Sequence, residues 1–390
     1  MKNETDLQKM SPRKKILFFL IMVAGTLLGA LVIAEIVLRV VPIPGVGFSI
    51  AHLDTLTGAS YFPNRTVVYR NDRGDYAKTR TNRWGFFDKD HTREKKAGIT
   101  RIGFFGDSYT QAIQVPLTET FHYRIGDSLK EQQIETLAFG FSGFSTYQSY
   151  LNSNRWADYF DLDMIVYVFC ENDPGDQLRI IKKSAAMPYP LLRNGQLVAD
   201  TSFKELVKQQ STPYNRFLDY LKENSLVLNT LAERIQLLKR YGIKMRVTEK
   251  DRTGTGGKDG IGLTICPPQL NQMDDPSLWP DSLKVLATGL QKAVLLAWKN
   301  EAIKNKKRFA VLYTPKTVMI PATEQNSWKS MVEKFCRENN IPFIDPTDEL
   351  TALQKKGNDV IYDHYTKYGH EGVAGAFIKY YLASQKPTAQ

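Results

Sequence analysis

Four residues far apart in the chain have types that together could perform acyl transfer: Ser108, Gly143, Asn172 and His364. Such chemistry needs a nucleophile, a neutral imidazole to take its proton, and donors aimed at the oxyanion that develops on the attacked carbonyl. Ser108 and His364 fit the first two roles. The backbone N–H groups of Ser108 and Gly143 and the side-chain amide of Asn172 fit the third. A glycine lets the backbone approach the reacting carbonyl closely. An asparagine donates N–H without a charge that would repel the oxyanion. Taken singly, each signal is ordinary. Gly106-Asp107-Ser108 reads as a capped strand end, Asn172-Asp173-Pro174 as a turn, and His364 as a surface histidine in a Tyr-rich loop.

What links them is the kind of element each one follows. Arg101 to Gly106, Ile134 to Phe141 and Met164 to Cys170 are short apolar runs of the kind found in strands covered on both faces. Ser108, Gly143 and Asn172 each come directly after one of these runs. Helical stretches separate the runs, with Tyr147 to Tyr159 the clearest. A parallel α/β sheet would bring all three residues to its C-terminal edge. The rhythm resumes later in the chain. A long helix is expected from Pro280 to Asn305, a strand from Arg308 to Tyr313, a helix from Gln325 to Asn339 and a short strand from Pro342 to Ile344. A final helix, Glu371 to Leu382, follows the His364 segment.

In this order, the residues resemble the SGNH (GDSL-type) hydrolases, which carry a Ser in a GDS block, a Gly, an Asn in a GxND block and a C-terminal His. The chain is similar in particular to membrane-anchored bacterial envelope members with an N-G-x-R-D-like segment before the GDS block, here Asn82 to Asp88. The likeness covers roughly residues 79–175 and 280–385. It implies an SGNH-hydrolase-like (flavodoxin-like) three-layer domain with a mainly parallel, roughly five-stranded sheet. By position it implies Ser108 as nucleophile, Gly143 and Asn172 in the oxyanion hole and His364 as base. His364 is preferred to His370 because His364 to Gly369-His370 matches the family's HPNxxGH tail, which leaves His370 as a structural residue. The chain departs from the pattern in three places. Cys170 stands where the GxND block has its Gly, and Ala138 where an Asn is common. The family's acid position, two or three residues before the His, holds Ile361 and Tyr362. Asp363 is the candidate to orient the imidazole; Asp359 or a backbone carbonyl are the alternatives. The implied activity is that of a serine esterase acting on acyl or acetyl esters of cell-envelope glycan or lipid. An O-acyltransferase and a non-catalytic carbohydrate-binding or assembly protein of the same fold are the competing readings. A membrane-bound acyltransferase is a candidate partner. No cofactor, metal or nucleotide is implied.

Composition fits an ordinary globular protein: 390 residues, 42% hydrophobic, with a formal net charge of +11. No basic run is interleaved with aromatics in a nucleic-acid motif, so the charge suits an anionic envelope surface better than nucleic acid. Cys170, Cys266 and Cys336 are widely spaced, without metal-ligand or CxxC spacing. At the N-terminus, Ile16 to Ala34 is long and apolar enough to cross a bilayer, and Arg13 to Lys15 precede it. The expected organisation is a cytoplasmic N-terminus (1–15), an uncleaved signal anchor (16–41), a juxtamembrane linker (42–80) and the extracytoplasmic or periplasmic hydrolase-like domain (81–385). That domain carries an insertion at about 175–280, with amphipathic helices expected over Phe203–Gln210 and Tyr214–Tyr241. The Gly-rich stretch Thr253 to Gly262 is not a phosphate loop, because Asp259 follows Lys258, the Gly spacing is wrong and no strand precedes it.

Overall fold

The computed structural model describes residues 11–41, 43, 47–70, 76–241, 243–247, 261–265, 279–316, 327–362 and 364–385. Asp363, Cys266, residues 253–260 of the Gly-rich stretch and part of the expected linker lie outside the described residues. The chain opens with helix α1 (Pro12–Val40) and two antiparallel hairpins, β1 (Ala51–Asp54) with β2 (Gly58–Tyr61) and β3 (Thr66–Arg70) with β4 (Tyr76–Arg80). Strand β5 (Thr100–Gly106), the single turn α2 (Ser108–Gln111), α3 (Phe121–Ser128), β6 (Ile134–Gly140), α4 (Thr146–Tyr159) and β7 (Met164–Cys170) come next. The inserted region holds the short α5 (Asp173–Asp176) and α6 (Arg179–Lys182), then the hairpin β8 (Tyr189–Arg193) and β9 (Gln196–Asp200). Helices α7 (Phe203–Gln210), α8 (Pro213–Asn224) and α9 (Leu226–Tyr241) follow, with the pair β10 (Ile243–Val247) and β11 (Ile261–Ile265). The chain closes with α10 (Asp281–Lys304), β12 (Arg308–Thr314), α11 (Ser327–Glu338), β13 (Phe343–Ile344), α12 (Thr347–Lys355) and α13 (Lys367–Ser384).

These elements form two compact units. One comprises residues 1–49 and 217–268, the other residues 50–216 and 269–390. The second is a three-layer α/β unit around a five-stranded sheet in the order β13-β12-β7-β5-β6, with every pairing parallel. Its strands are nearly all buried because their side chains alternate between two apolar layers. Phe105, Tyr167, Phe169 and Val311 pack with Trp298 of α10 and Val332 of α11. Phe104, Val166, Val168 and Leu312 pack with Phe121 of α3 and Phe377 of α13. The register aligns the strand ends, pairing Gly106 with Gly140 and Thr314 with Cys170. All chain exits therefore fall on one edge, as the strand pattern predicts.

The expected helix over Tyr214–Tyr241 is two helices, divided at Ser225, whose hydroxyl accepts the Leu228 N–H at 3.2 Å and so starts a new helix. Hairpins occupy much of the stretch expected as a linker, and Tyr61 at the end of β2 is buried against Phe87, Phe141 and Phe144. Strand β6 is an edge of the sheet, and the Asn82–His91 loop covers it. Asn82 Oδ1 accepts the N–H groups of Trp84 (2.9 Å) and Phe86 (3.0 Å), which shapes the loop. Asp88 Oδ2 then accepts the Ala138 N–H of β6 at 2.8 Å. In the first unit, α1 is long and apolar enough to span a membrane.

Candidate active site

Ser108 sits at the first position of α2, where backbone N–H groups have no intrahelical acceptor. Asp107 caps this turn, its Oδ1 accepting the Tyr109 N–H at 2.9 Å. Two glycines let the turn press onto the sheet. A Cβ at Gly106 would lie 2.9 Å from Val168 O, and one at Gly140 would lie 2.2 Å from Gln111 N. A side chain at either position would push the serine out of place.

Across the site, the Ser108 hydroxyl lies 2.8 Å from His364 Nε2, so Oγ–H can donate directly to the imidazole. The ring of Tyr109 lies 5.0 Å from that of His364, and the buried Tyr365 donates its hydroxyl to Pro315 O at 3.1 Å. The His364 loop is drawn tight by the Tyr362 N–H on His364 O and by the bridge between Ile361 and Tyr365. Thr366 caps α13 by accepting the N–H groups of Tyr368 and Gly369. Gly369 is where the loop crosses the helix: a Cβ there would sit 2.2 Å from Val360 O. His370 stacks on Phe121 instead. It is buried, and its Nδ1 accepts the Phe121 N–H at 3.3 Å. Burial holds its pKa well below the ordinary histidine value, so the ring stays neutral. Asp363 lies outside the described residues.

Gly143 has φ +79°, a left-handed conformation that favours glycine, in the loop after β6. Tyr61 steadies this loop from the hairpin side. Its hydroxyl accepts the Ser142 N–H at 3.0 Å and the Gln111 amide at 2.7 Å, tying the loop to α2. Asn172 stands at the start of α5, and its amide donates to Asp107 Oδ2 (3.3 Å) and to Asp176 Oδ2 (3.0 Å). Lys182 Nζ pairs with Asp176 at 2.9 Å and lies 3.2 Å from where a Gly143 Cβ would be. A polar belt thus runs from Asp107 through Asn172, Asp176 and Lys182 to Gly143. Burial raises the pKa of Asp107 above the usual carboxylate value, although hydrogen bonds from Tyr109 and Asn172 oppose it. Burial acts more strongly on Asp173, whose Oδ2 accepts from Tyr167 Oη (2.6 Å) and Cys170 N (2.8 Å). Cys170 itself is wholly buried, with its thiol pKa pushed well up by burial, so it is a packing residue without thiolate chemistry.

The structure therefore joins Ser108 to His364 directly and Asn172 to the nucleophile turn through Asp107, and it brings Gly143 beside Lys182. Sequence reasoning missed Tyr61, Asp176 and Lys182. The readable signal for Asp176 was its position four residues after Asn172, which becomes a contact only once a helix is placed after Asp173-Pro174. Lys182 and Tyr61 lie in stretches read as insertion and linker.

No protein-family model matches the sequence, and neither does any curated protein. Solved structures similar to this chain include a lipase/acylhydrolase from Enterococcus faecalis, 12% identical over 75% of this chain and 100% of its own, with a TM-score of 0.38. A GDSL-like lipase from Bacteroides thetaiotaomicron is 12% identical over 75% of this chain and 93% of its own, with a TM-score of 0.34. A catalytic mutant of an acetylxylan esterase from Geobacillus stearothermophilus is 12% identical over 74% of this chain and 95% of its own, with a TM-score of 0.35. The chemistry of the present chain rests on its own site.

Proposed function

We propose that this chain is a serine ester hydrolase of the SGNH type. The observation that carries the reading is the 2.8 Å contact between Ser108 Oγ and His364 Nε2 at the carboxyl edge of a parallel sheet. His364 Nε2 takes the Ser108 proton as Oγ adds to an ester carbonyl. The N–H groups of Ser108 and Gly143 and the Asn172 amide receive the oxyanion. When the tetrahedral intermediate collapses, the C–O bond to the alcohol breaks and the proton on His364 passes to the leaving oxygen. Water then adds to the acyl-serine, giving up its proton to His364, and the acid departs as Ser108 is regenerated. In this reading Asp363 orients the imidazole.

The apolar α1, with Arg13, Lys14 and Lys15 on its N-terminal side, supports an inner-membrane anchor with a cytoplasmic N-terminus and the main unit outside. That placement favours acyl esters of envelope glycan or lipid as substrates. The test is acyl-ester turnover by the full-length protein. Ser108→Ala is expected to lower kcat by at least about 10³-fold with the fold intact. Retention of parental activity would rule out the mechanism. Running the reaction with and without an acceptor glycan separates hydrolysis from acyl transfer, since both pass through the same acyl-enzyme.

A further inference from the structure

Within the unit that contains α1, the last turns of that helix cap the start of α9. The Glu35 carboxylate accepts the N–H groups of Leu226 and Val227, each at 3.1 Å, and the Ser225 hydroxyl at 2.9 Å. Arg39, bound to Glu35 at 2.8 Å, also donates to Asn224 O at 2.8 Å. Asn229, one turn into α9, donates to Gly47 O at 2.8 Å. On α1 only Ala34, Glu35 and Leu38 are partly covered. So α9 meets α1 where its apolar run ends and does not lie along it.

On α9, Leu226 and Asn229 face inward and are buried. At 100° per residue, Leu228, Leu231, Ile235 and Leu238 form one stripe on the opposite side. All four are exposed, Leu231 and Ile235 each at 50%. Phe217 and Tyr220 of α8 are exposed as well; Tyr is enriched at membrane interfaces and Phe is common on the apolar face of interfacial helices. An aliphatic stripe on a helix whose start is hydrogen-bonded to the end of a membrane-length helix has one surface within reach without any further association: the bilayer itself.

We propose that α9 is an interfacial helix. It lies at the boundary of headgroups and acyl chains in the leaflet where α1 ends, with Leu228, Leu231, Ile235 and Leu238 in lipid. The inference rests on α1 spanning the membrane. The experiment places a nitroxide at one position at a time, using Leu231→Cys, Ile235→Cys, Gln236→Cys and Leu27→Cys. The background is full-length Cys266→Ser protein, since Cys170 and Cys336 are buried. The labelled proteins are reconstituted in phosphatidylethanolamine/phosphatidylglycerol vesicles. Collision rates are then measured with oxygen, which concentrates in lipid, and with a water-soluble nickel chelate. At 231 and 235 the oxygen-to-nickel ratio is expected to exceed that at 236 several-fold, with the highest ratio at 27. If labels at 231 and 235 match the one at 236, the interfacial helix is overturned while an oxygen-rich 27 keeps the anchor. Shielding of 231 and 235 from both reagents would mean that protein covers the stripe, which also overturns it. A nickel-accessible 27 removes the anchor and the inference with it.

Discussion

At the scale of single residues, Asn172 is the side chain with most to do. Its one amide nitrogen donates to two carboxylates, Asp107 and Asp176, and its Oδ1 is buried with no hydrogen-bond partner among the described residues. To receive an oxyanion, as proposed, it must relax its hold on one of those acids. Asp176 would keep a cationic partner, Lys182 at 2.9 Å, whereas among the described residues Asp107 would keep only the Tyr109 N–H. That lysine also leans over Gly143, so its charge lies close to where negative charge would develop. Lys182→Ala is expected to lower kcat about tenfold, because it leaves Asp176 uncompensated beside the proposed oxyanion donors. KM and melting temperature should stay near the parental values, and a loss confined to stability would remove the electrostatic role. The placement of Ser108, Gly143, Asn172 and His364 was readable because each follows a strand or precedes the last helix. Lys182 was not, because its relation to Gly143 exists only across two loops.

Elements position these residues through close backbone approaches. Gly369 is the clearest case, since it lets the Val360 segment cross α13 and delivers His364 to Ser108. The spacing from His364 to Gly369 is thus a packing requirement as well as a motif. Gly369→Ala would bring a methyl group within 2.2 Å of Val360 O. It is expected to cost about 1–3 kcal/mol of stability. Activity should fall further than unfolding accounts for, which kcat measured well below the melting temperature would reveal. Buried parallel strands could be read from sequence because both of their faces are apolar, which makes β5, β7 and β12 near-continuous hydrophobic runs. The hairpin strands β1, β2 and β4 could not, because strands of four or five residues with mixed faces lack that signal; only Thr66 to Tyr69, within β3, is β-branched and aromatic enough to suggest a short strand. Helix α13 begins at Lys367, four residues before the expected Glu371, because Thr366 caps it.

Over the whole molecule, the sheet carries the candidate site at one edge and an ionic brace near the other. At the start of β5 and β6, Arg101 donates to Glu135 (2.7 Å), while His91 bonds Glu135 (2.7 Å) and Asp88 (3.0 Å). Burial alone would lower the His91 pKa, but Asp88 and Glu135 outweigh it and raise it from 6.5 to about 9. Its contribution to stability is therefore complete below pH 6.5 and is lost as pH rises through about 9. His122 behaves in the opposite sense, since burial lowers its pKa to about 4 and its penalty grows as pH falls from 6.5 towards that value. His91→Gln is expected to cost about 3–5 kcal/mol near pH 6.5, as when one partner of a buried pair is removed. That deficit should shrink by about pH 9.5, where the parent has lost the same interaction. Melting temperatures of both proteins across this range check the sign. The Asn82–Asp88 segment was legible as a motif, but its work as a cover for the β6 edge needed the Asp88 contact to Ala138.

The contact between Ser108 and His364 joins positions 256 residues apart. A ribosome makes the chain from its N-terminus, so the serine exists long before its base. Strands β12 and β13 and helix α13 must all be synthesised and docked before the two can meet. A nascent chain, or one cut short anywhere before His364, carries Ser108 without the imidazole it contacts. The proposed site is therefore complete only once nearly all of the chain has been made.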